Sequence, residues 1–169
     1  LLTEDGITGG DLSNTSIDHA VSIDMASFSK VEIIRGPEAL LYGSNTIGGV
    51  IDISRTIDLE SRFKKPSIQA VLGSESVNKS SFGNLVYYHP VNDKNQFRIS
   101  LLNRHAGNQV TPIGVLDNTS LSNNEVTGSY TYFGTDYRTS LSYEKITMDY
   151  GIPGSPEGHI SGVDLSLNK

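Results

Sequence analysis

The chain contains the segment Val31-Glu-Ile-Ile-Arg-Gly-Pro-Glu-Ala-Leu-Leu-Tyr-Gly-Ser-Asn-Thr-Ile-Gly-Gly-Val-Ile-Asp-Ile53, which sets the architecture of its N-terminal third. Its apolar start predicts a strand. Gly36-Pro37 then predicts a turn into a short helix, because proline fits the first helical turn, where its missing N–H is not needed. Gly43 stands where a left-handed residue would end that helix, and Gly48-Gly49 permits close backbone approach before a second extended run. These residues predict a compact βαβ-like fragment.

The same segment resembles the C-terminal part of the plug domain of TonB-dependent outer-membrane receptors. The order R-G-P, short helix, Y-G and G-G-V-I-D-I matches that plug without a gap. The resemblance implies that Arg35 holds the plug against the wall of a surrounding barrel. It also implies backbone-shaping or packing roles, and no catalysis, for the other motif residues, which are Gly36, Pro37, Tyr42, Gly43, Gly48 and Gly49.

Composition limits the possible functions. A formal net charge of −6 and the lack of a basic run argue against a nucleic-acid partner. The chain has no cysteine, which excludes disulfides, thiolate metal sites and a cysteine nucleophile. The motifs of α/β-hydrolases, P-loop proteins, zinc proteases and dinucleotide-binding proteins are missing. We therefore expect neither an enzyme nor a prosthetic group.

The chain divides by composition into three parts. Residues 1–55 form the plug-like part, 56–66 a basic linker closed by Pro66, and 67–169 a region of alternating polarity. The start at Leu1, without a signal segment, and the stop at Lys169, within a new extended run, predict an internal piece of a larger protein. The expected fold is mainly β: a fragment of a plugged transmembrane antiparallel β-barrel with a small α/β plug portion.

The third part carries the alternation expected of strands. Around 137–144, Tyr137, Thr139, Leu141 and Tyr143 alternate with polar residues, so one face is aromatic and aliphatic and the other polar. The run at 80–89 alternates poorly and its faces cannot be assigned. Tyr130, Tyr132, Tyr143 and Tyr150 are candidates for an aromatic girdle. The predicted extended runs are 67–74, 80–89, 96–106, 125–134 and 137–149.

The connections between these runs support the barrel. Short segments at 90–95 and 134–136 alternate with longer ones at 107–124 and 151–162, as periplasmic turns alternate with extracellular loops in outer-membrane barrels. If the linker leaves the plug on the periplasmic side, the segment at 75–78 is also external. A water-soluble antiparallel sandwich is the alternative, because its strands alternate as well.

A polar cluster, Ser16-Ile-Asp-His-Ala20, precedes the plug motif. It resembles the Asp-His pair of the zinc-uptake branch of TonB-dependent receptors, which implies that Asp18 and His19 are metal ligands. Carboxylate and neutral imidazole suit zinc and related divalent ions. Two neighbouring residues cannot complete a tetrahedral site, so other ligands would come from barrel loops. The alternative is a solvated pair in a polar loop.

A second segment resembles that branch. Asp149-Tyr-Gly-Ile-Pro-Gly154, followed by Gly162-Val-Asp164, is similar to a loop that carries a histidine-rich insert in some relatives. Here the insert contains only Glu157 and His159, which are therefore weaker metal candidates. A single histidine does not chelate usefully, and the residues favour gating or surface exposure for this loop.

The resemblance implies an active transporter in the bacterial outer membrane that takes up a scarce nutrient. Its implied partners are the TonB energy-transducing complex, reached through a segment outside this chain, outer-membrane lipid and a small nutrient or metal substrate. Zinc or another metal complex is the first expected substrate, and a ferric siderophore, haem or cobalamin is the alternative within the class. A soluble extracellular β-sheet module for adhesion or ligand binding is the alternative of another class.

Overall fold

The computed structural model describes residues 1–8, 23–43, 46–54, 62–155 and 161–169. The chain forms two compact units, Leu1–Ser61 and Arg62–Lys169, and their boundary falls within the predicted linker 56–66. Among the described residues, no helix is both long enough and apolar enough to cross a membrane.

The first unit contains the strands β1 (Leu2–Glu4), β2 (Lys30–Ile34) and β3 (Val50–Ser54), in the order β1-β3-β2. β1 runs parallel to β3, whereas β2 runs antiparallel to it, with Ile34 opposite Val50. This differs from the predicted βαβ-like fragment, in which its two strands, β2 and β3, would be parallel. A strand of five residues spans about 17 Å, but the six-residue helix between β2 and β3 rises only about 12 Å. The helix is therefore too short to return the chain along the strand.

The predicted short helix is a 3-10 helix over Pro37–Tyr42, with Pro37 at its start and Glu38 in its first turn. Gly43 ends it, as predicted, but with φ 120° and ψ −175° rather than in the left-handed helical region. The Gly43 N–H bonds to the Leu40 carbonyl at 3.3 Å, which is the i to i+3 closure of a 3-10 turn. A second 3-10 helix, Met25–Ser27, begins at Asp24, whose carboxylate accepts the Ala26 N–H at 3.0 Å.

The second unit is an antiparallel sheet in which every predicted extended run is a strand, in the order β11-β10-β9-β6-β5-β4. A separate small hairpin interrupts the connection between β6 and β9. The strands of this unit are β4 (Ser67–Glu75), β5 (Ser80–Asn92), β6 (Asn95–Ala106), β7 (Gln109–Thr111), β8 (Gly114–Leu116), β9 (Leu121–Phe133), β10 (Arg138–Ile152) and β11 (Val163–Asn168).

The connections alternate between the two ends of the sheet. The turn end carries the turns at 93–94 and 134–137, and the loop end carries the connections 76–79, 107–120 and 153–162. The connections therefore alternate between the two ends as predicted, although 76–79 at the loop end is as short as the turn 134–137. β9 begins at Leu121 rather than at 125, because the polar residues that precede Glu125 pair in register with β6 instead of forming a turn.

Candidate functional site

The six-stranded sheet has an apolar face whose large side chains are exposed. Their exposed fractions run from 37% for Tyr130 to 83% for Leu72. Each of these residues belongs to the same alternate set along its strand, and cross-strand partners such as Leu85 and Leu101 lie side by side. The apolar face comprises Ile68, Leu72, Leu85, Phe97, Ile99, Leu101, Val126, Tyr130, Leu141 and Tyr143.

The opposite face, the polar face, is largely buried along β5, β6 and β9 and along the loop-end half of β10. Ser100 donates a hydrogen bond to Asn84 Oδ1 at 3.2 Å, and the Asn123 amide donates to Glu125 Oε1 at 2.9 Å. An apolar cluster of Ile146, Met148 and Tyr150 occupies the same face near the loop end. The buried polar and charged side chains of the polar face are Ser80, Asn84, Gln96, Arg98, Ser100, Asn123, Glu125 and Thr127.

This distribution differs from that of a water-soluble sheet, because large apolar side chains are exposed on one face while polar and charged side chains are buried among apolar ones on the other. A soluble antiparallel sandwich buries its apolar face and leaves the polar one in water, because burial of apolar area is the main favourable term in folding. Strands of outer-membrane barrels instead alternate apolar residues outward with polar residues inward. β6, β9 and β10 have 12, 13 and 15 residues, more than the roughly 9–11 that a tilted strand needs to cross the bilayer. The sheet therefore has the polarity and length of barrel strands.

Towards the loop end, the residues on the same side of the sheet as the apolar face become polar. Asn103 donates to Asn124 Oδ1 across β6 and β9 at 2.7 Å. One step further, His105, Ser122 and Asp149 are successive ladder partners. The apolar face thus ends before the strands do, as an apolar band bounded by a polar rim would.

Three of the four predicted girdle tyrosines lie on the apolar face, and Tyr130 packs against Phe97 with ring centroids 5.1 Å apart. The prediction for Tyr150 is wrong, because that side chain is 8% exposed and belongs to the cluster on the polar face. Tyr143 and Tyr150 are an odd number of residues apart, so a regular strand places them on opposite faces.

In the β9–β10 turn, the electrostatic interaction with Tyr132 and a hydrogen bond to it raise the pKa of Tyr137.

At the turn end, the start of the second unit is anchored to the polar face. Phe63 stacks on Tyr88 with centroids 4.2 Å apart, and its N–H donates to Gln96 Oε1 at 3.1 Å. The Arg62 guanidinium donates to the Asp93 carbonyl and lies 5.9 Å from the centre of the Phe133 ring. Sequence reasoning identified only the basic character of this linker. The feature of the sequence that could have indicated this anchor is Phe63, an aromatic residue between the charged residues Arg62 and Lys64.

In the first unit, the plug motif contains both backbone-shaping glycines and a buried carboxylate. A Cβ on Gly49, whose φ is 105°, would lie 2.9 Å from the Ile34 carbonyl oxygen, whereas one on Gly48 would meet nothing within 4 Å. The Asp52 carboxylate accepts from Thr3 Oγ1 at 2.6 Å and from the Gly6 N–H at 2.9 Å. The close-approach prediction thus holds at Gly49, and sequence reasoning missed the Thr3–Asp52 contact.

The other motif residues line the connection between β2 and β3. Arg35 is exposed and Tyr42 is half-buried, so the contact of Arg35 with a barrel wall stays a prediction. Gly36 precedes the 3-10 helix with φ 78°, a conformation that favours glycine.

The predicted metal candidates Asp18, His19, Glu157 and His159 all lie outside the described residues. Within the described ranges, no group of three or more His, Cys, Asp or Glu side chains could hold a metal ion. Of the remaining histidines, His89 has its Nδ1 3.1 Å from the Tyr87 hydroxyl, and His105 lies in the polar rim.

Comparison with known proteins connects the first unit to a receptor family. Residues 1–50 match the family model of the TonB-dependent receptor plug domain. A segment of 54 residues is 46% identical to a hemin receptor of Yersinia enterocolitica, and it covers 32% of this chain and 7% of that receptor. These matches support the TonB-dependent receptor family and leave the zinc-uptake branch unsupported. With the mainly β architecture, the plug match fits a fragment of a plugged β-barrel receptor.

Proposed function

We propose that the chain is part of a TonB-dependent transporter of the bacterial outer membrane, which takes up a scarce nutrient using energy delivered through TonB. The chain would contribute the C-terminal part of the plug (1–55), a linker (56–66) and the first strands of the barrel (67–169). No catalytic step belongs to this proposal. The outward apolar face would contact membrane lipid, and the polar face would line the interior.

One combination of observations carries the proposal: a chain whose first 50 residues match the plug family also contains a sheet that exposes large apolar side chains on one face and buries polar side chains among apolar ones on the other. A soluble adhesion or ligand-binding module would gain no stability from the exposed apolar face. Lipid makes it favourable, because apolar side chains are then in an apolar solvent and backbone groups are satisfied by strand pairing.

For the substrate we propose haem, because the similar segment belongs to a protein named a hemin receptor. Zinc or another metal complex is the second candidate, favoured by the adjacent Asp18 and His19 and by the Asp149–Gly154 segment. Imidazole is a ligand of both haem iron and zinc. A carboxylate next to it favours the divalent ion, because haem iron takes its axial ligands mainly from other side chains.

The class is tested by expressing the full-length receptor and fractionating the cells. We expect the protein in the outer membrane, with heat-modifiable migration on electrophoresis and growth on the substrate that disappears in a strain without TonB. Recovery of a folded, detergent-free monomer in the soluble fraction, or uptake that is independent of TonB, would contradict the proposal.

The substrate is tested in a host without its own haem receptor, supplied with haemin as the iron source, and in parallel in a zinc-starved host. A haem receptor restores growth on haemin and not under zinc starvation. His19→Ala should then impair uptake while Asp18→Ala leaves it near wild type. If zinc is the substrate, both variants should weaken zinc binding. Glu157→Gln and His159→Ala test the weaker candidates in the same assay.

A further inference from the structure

We infer that Asn118 is a positioning residue that joins the connection 107–120, the β4–β5 turn and the end of the β10–β11 hairpin into one mechanical unit. Its side-chain amide donates to the Ile152 carbonyl at 2.9 Å, across 34 residues of sequence. Asn118 has φ 60°, and both its side-chain amide and its own carbonyl lie beside the end of the β10–β11 hairpin. The contact links the connection 107–120 to the neighbouring hairpin.

Two glycines of the hairpin leave room for this contact. A Cβ on Gly151 would lie 2.6 Å from the Asn118 carbonyl oxygen, and one on Gly162 would lie 2.6 Å from the Asn118 amide nitrogen and 2.5 Å from the Ile152 carbonyl oxygen. The Gly151 N–H also donates to the Ser120 carbonyl at 3.0 Å. Both glycines belong to the Asp149–Asp164 segment noted in the sequence. Their structural role is to let Asn118 approach.

The other side of connection 107–120 is attached to the β4–β5 turn. The Gly107 N–H donates to the Asn78 carbonyl at 2.8 Å, and the Val110 N–H donates to the Val77 carbonyl at 2.8 Å. The connection therefore has hydrogen-bonded neighbours on both sides, the turn 76–79 on one and the end of the β10–β11 hairpin on the other.

Thr119 closes the base of the connection between these two attachments. Its N–H donates to Asn108 Oδ1 at 3.0 Å, and its hydroxyl accepts the Gln109 N–H at 2.8 Å and donates to the Leu116 carbonyl at 2.8 Å. Thr119 thus bonds to both strands of the β7–β8 hairpin, at Gln109 and at Leu116. Thr119 therefore connects the Asn118 end of the connection to Asn108 and Gln109, which lie between the two residues bonded to the β4–β5 turn.

The consequence for binding rests on the proposed function. Connections that are already in place before a ligand arrives do not lose ordering entropy when it binds, so a preorganised loop set binds more tightly than a loose one. Asn118 would then contribute to affinity without touching the ligand.

The test uses hydrogen exchange in the full-length receptor in detergent. Asn118→Gly keeps the left-handed backbone accessible and removes the amide, and Asn118→Asp keeps the side-chain size but cannot donate to the Ile152 carbonyl when ionised. Asp117→Gly, at the exposed neighbour, controls for the flexibility that a glycine adds. We expect exchange about tenfold faster at Gly151 and also at Gly107 and Val110 in both Asn118 variants, from the loss of one hydrogen bond, and little change in the control.

Faster exchange at Gly151 alone, or no change at any of the three amides, would overturn the inference. If Asn118→Gly fails to assemble, Asn118→Asp decides in the same way. Haemin affinity is measured next, and we expect it to fall about tenfold in the Asn118 variants. If the Asn118 variants exchange faster at all three amides but bind haemin as tightly as the wild type, Asn118 has no role in binding. A wild-type receptor that does not bind haemin would instead contradict the proposed substrate, and the exchange result would still decide whether the connections form one unit.

Discussion

The ring of Phe63 stacks on the ring of Tyr88, with centroids 4.2 Å apart and planes 17° apart. Tyr88 is 6% exposed on the polar face of the sheet, so the stacking fastens the start of the second unit to that face. The Phe63 N–H and the Arg62 guanidinium add hydrogen bonds to Gln96 and to the Asp93 carbonyl. The chain therefore enters the sheet at its turn end by a defined route.

Phe63→Ala should weaken the attachment of the start of the second unit to the sheet. Aromatic stacking contributes about 0.5–1.5 kcal/mol beyond area burial, and Phe63 is half-buried, so we expect the receptor to lose about 2 kcal/mol of stability. Thermal melting of the full-length protein and protease cleavage near the linker measure the effect. Phe63→Tyr preserves the stacking and serves as the control. Equal melting temperatures for all three proteins would show that the contact is not stabilising.

Gly73→Ala should disturb a stacked cluster at the loop end. A Cβ on Gly73 would lie 2.3 Å from the Phe82 ring, on which the Arg104 guanidinium stacks at 4.2 Å. Moving that ring costs about 1–3 kcal/mol, as overpacking does elsewhere. Gly128→Ala is the matched control in the same sheet, because a Cβ there meets nothing within 4 Å. Unfolding by urea should separate the two variants, and similar midpoints would contradict the predicted displacement.

Leu141→Arg distinguishes lipid from water as the solvent of the apolar face. Leu141 is 76% exposed, so in a water-soluble protein the change would fall within about 0.5 kcal/mol of neutral. Facing lipid, it should cost about 2 kcal/mol or more. Folding into lipid vesicles, followed by electrophoretic mobility, measures the difference.

Ser142→Arg is the control for this experiment, since Ser142 is the next residue, is also exposed and points to the other face. We expect normal assembly for Ser142→Arg and impaired assembly for Leu141→Arg. If both variants fold equally well, the apolar face does not contact lipid.

Gly49→Ala should open the β2–β3 pair of the first unit. Gly49 combines a φ of 105° with a 2.9 Å approach of any Cβ to the Ile34 carbonyl oxygen, and strain of this kind costs about 1–3 kcal/mol. Amide exchange of Ile34 and Val50 in the full-length receptor should accelerate. Gly48→Ala, which meets no atom within 4 Å, should leave both amides protected. Identical exchange of these amides in the two variants would show that the β2–β3 pair does not require glycine at position 49.

Much of the second unit could be predicted from periodicity. Alternation along 137–144 assigned the two faces of β10 correctly, and the spacing of turn residues predicted which connections share an end of the sheet. The faces of β5 could not be assigned, because apolar residues occur on both: Val86 and Tyr88 are buried, whereas Leu85 is exposed. Pairing with β6, whose alternation is regular, decides the orientation of β5.

The candidate site was less predictable. The plug motif was identified from its glycines, but Thr3 and Asp52, 49 residues apart, meet only because β1 pairs in parallel with β3. Asn118 and Ile152 meet through the register of β9, β10 and β11.

The amino-acid sequence alone thus specifies most of the elements described above, because strand alternation, glycine conformation and proline geometry act on neighbouring residues. Contacts such as Phe63–Tyr88, the antiparallel direction of β2 and the burial of the polar face were settled by the tertiary structure. They join residues distant along the chain, and their energy depends on strand register and on which side chains a fold brings together.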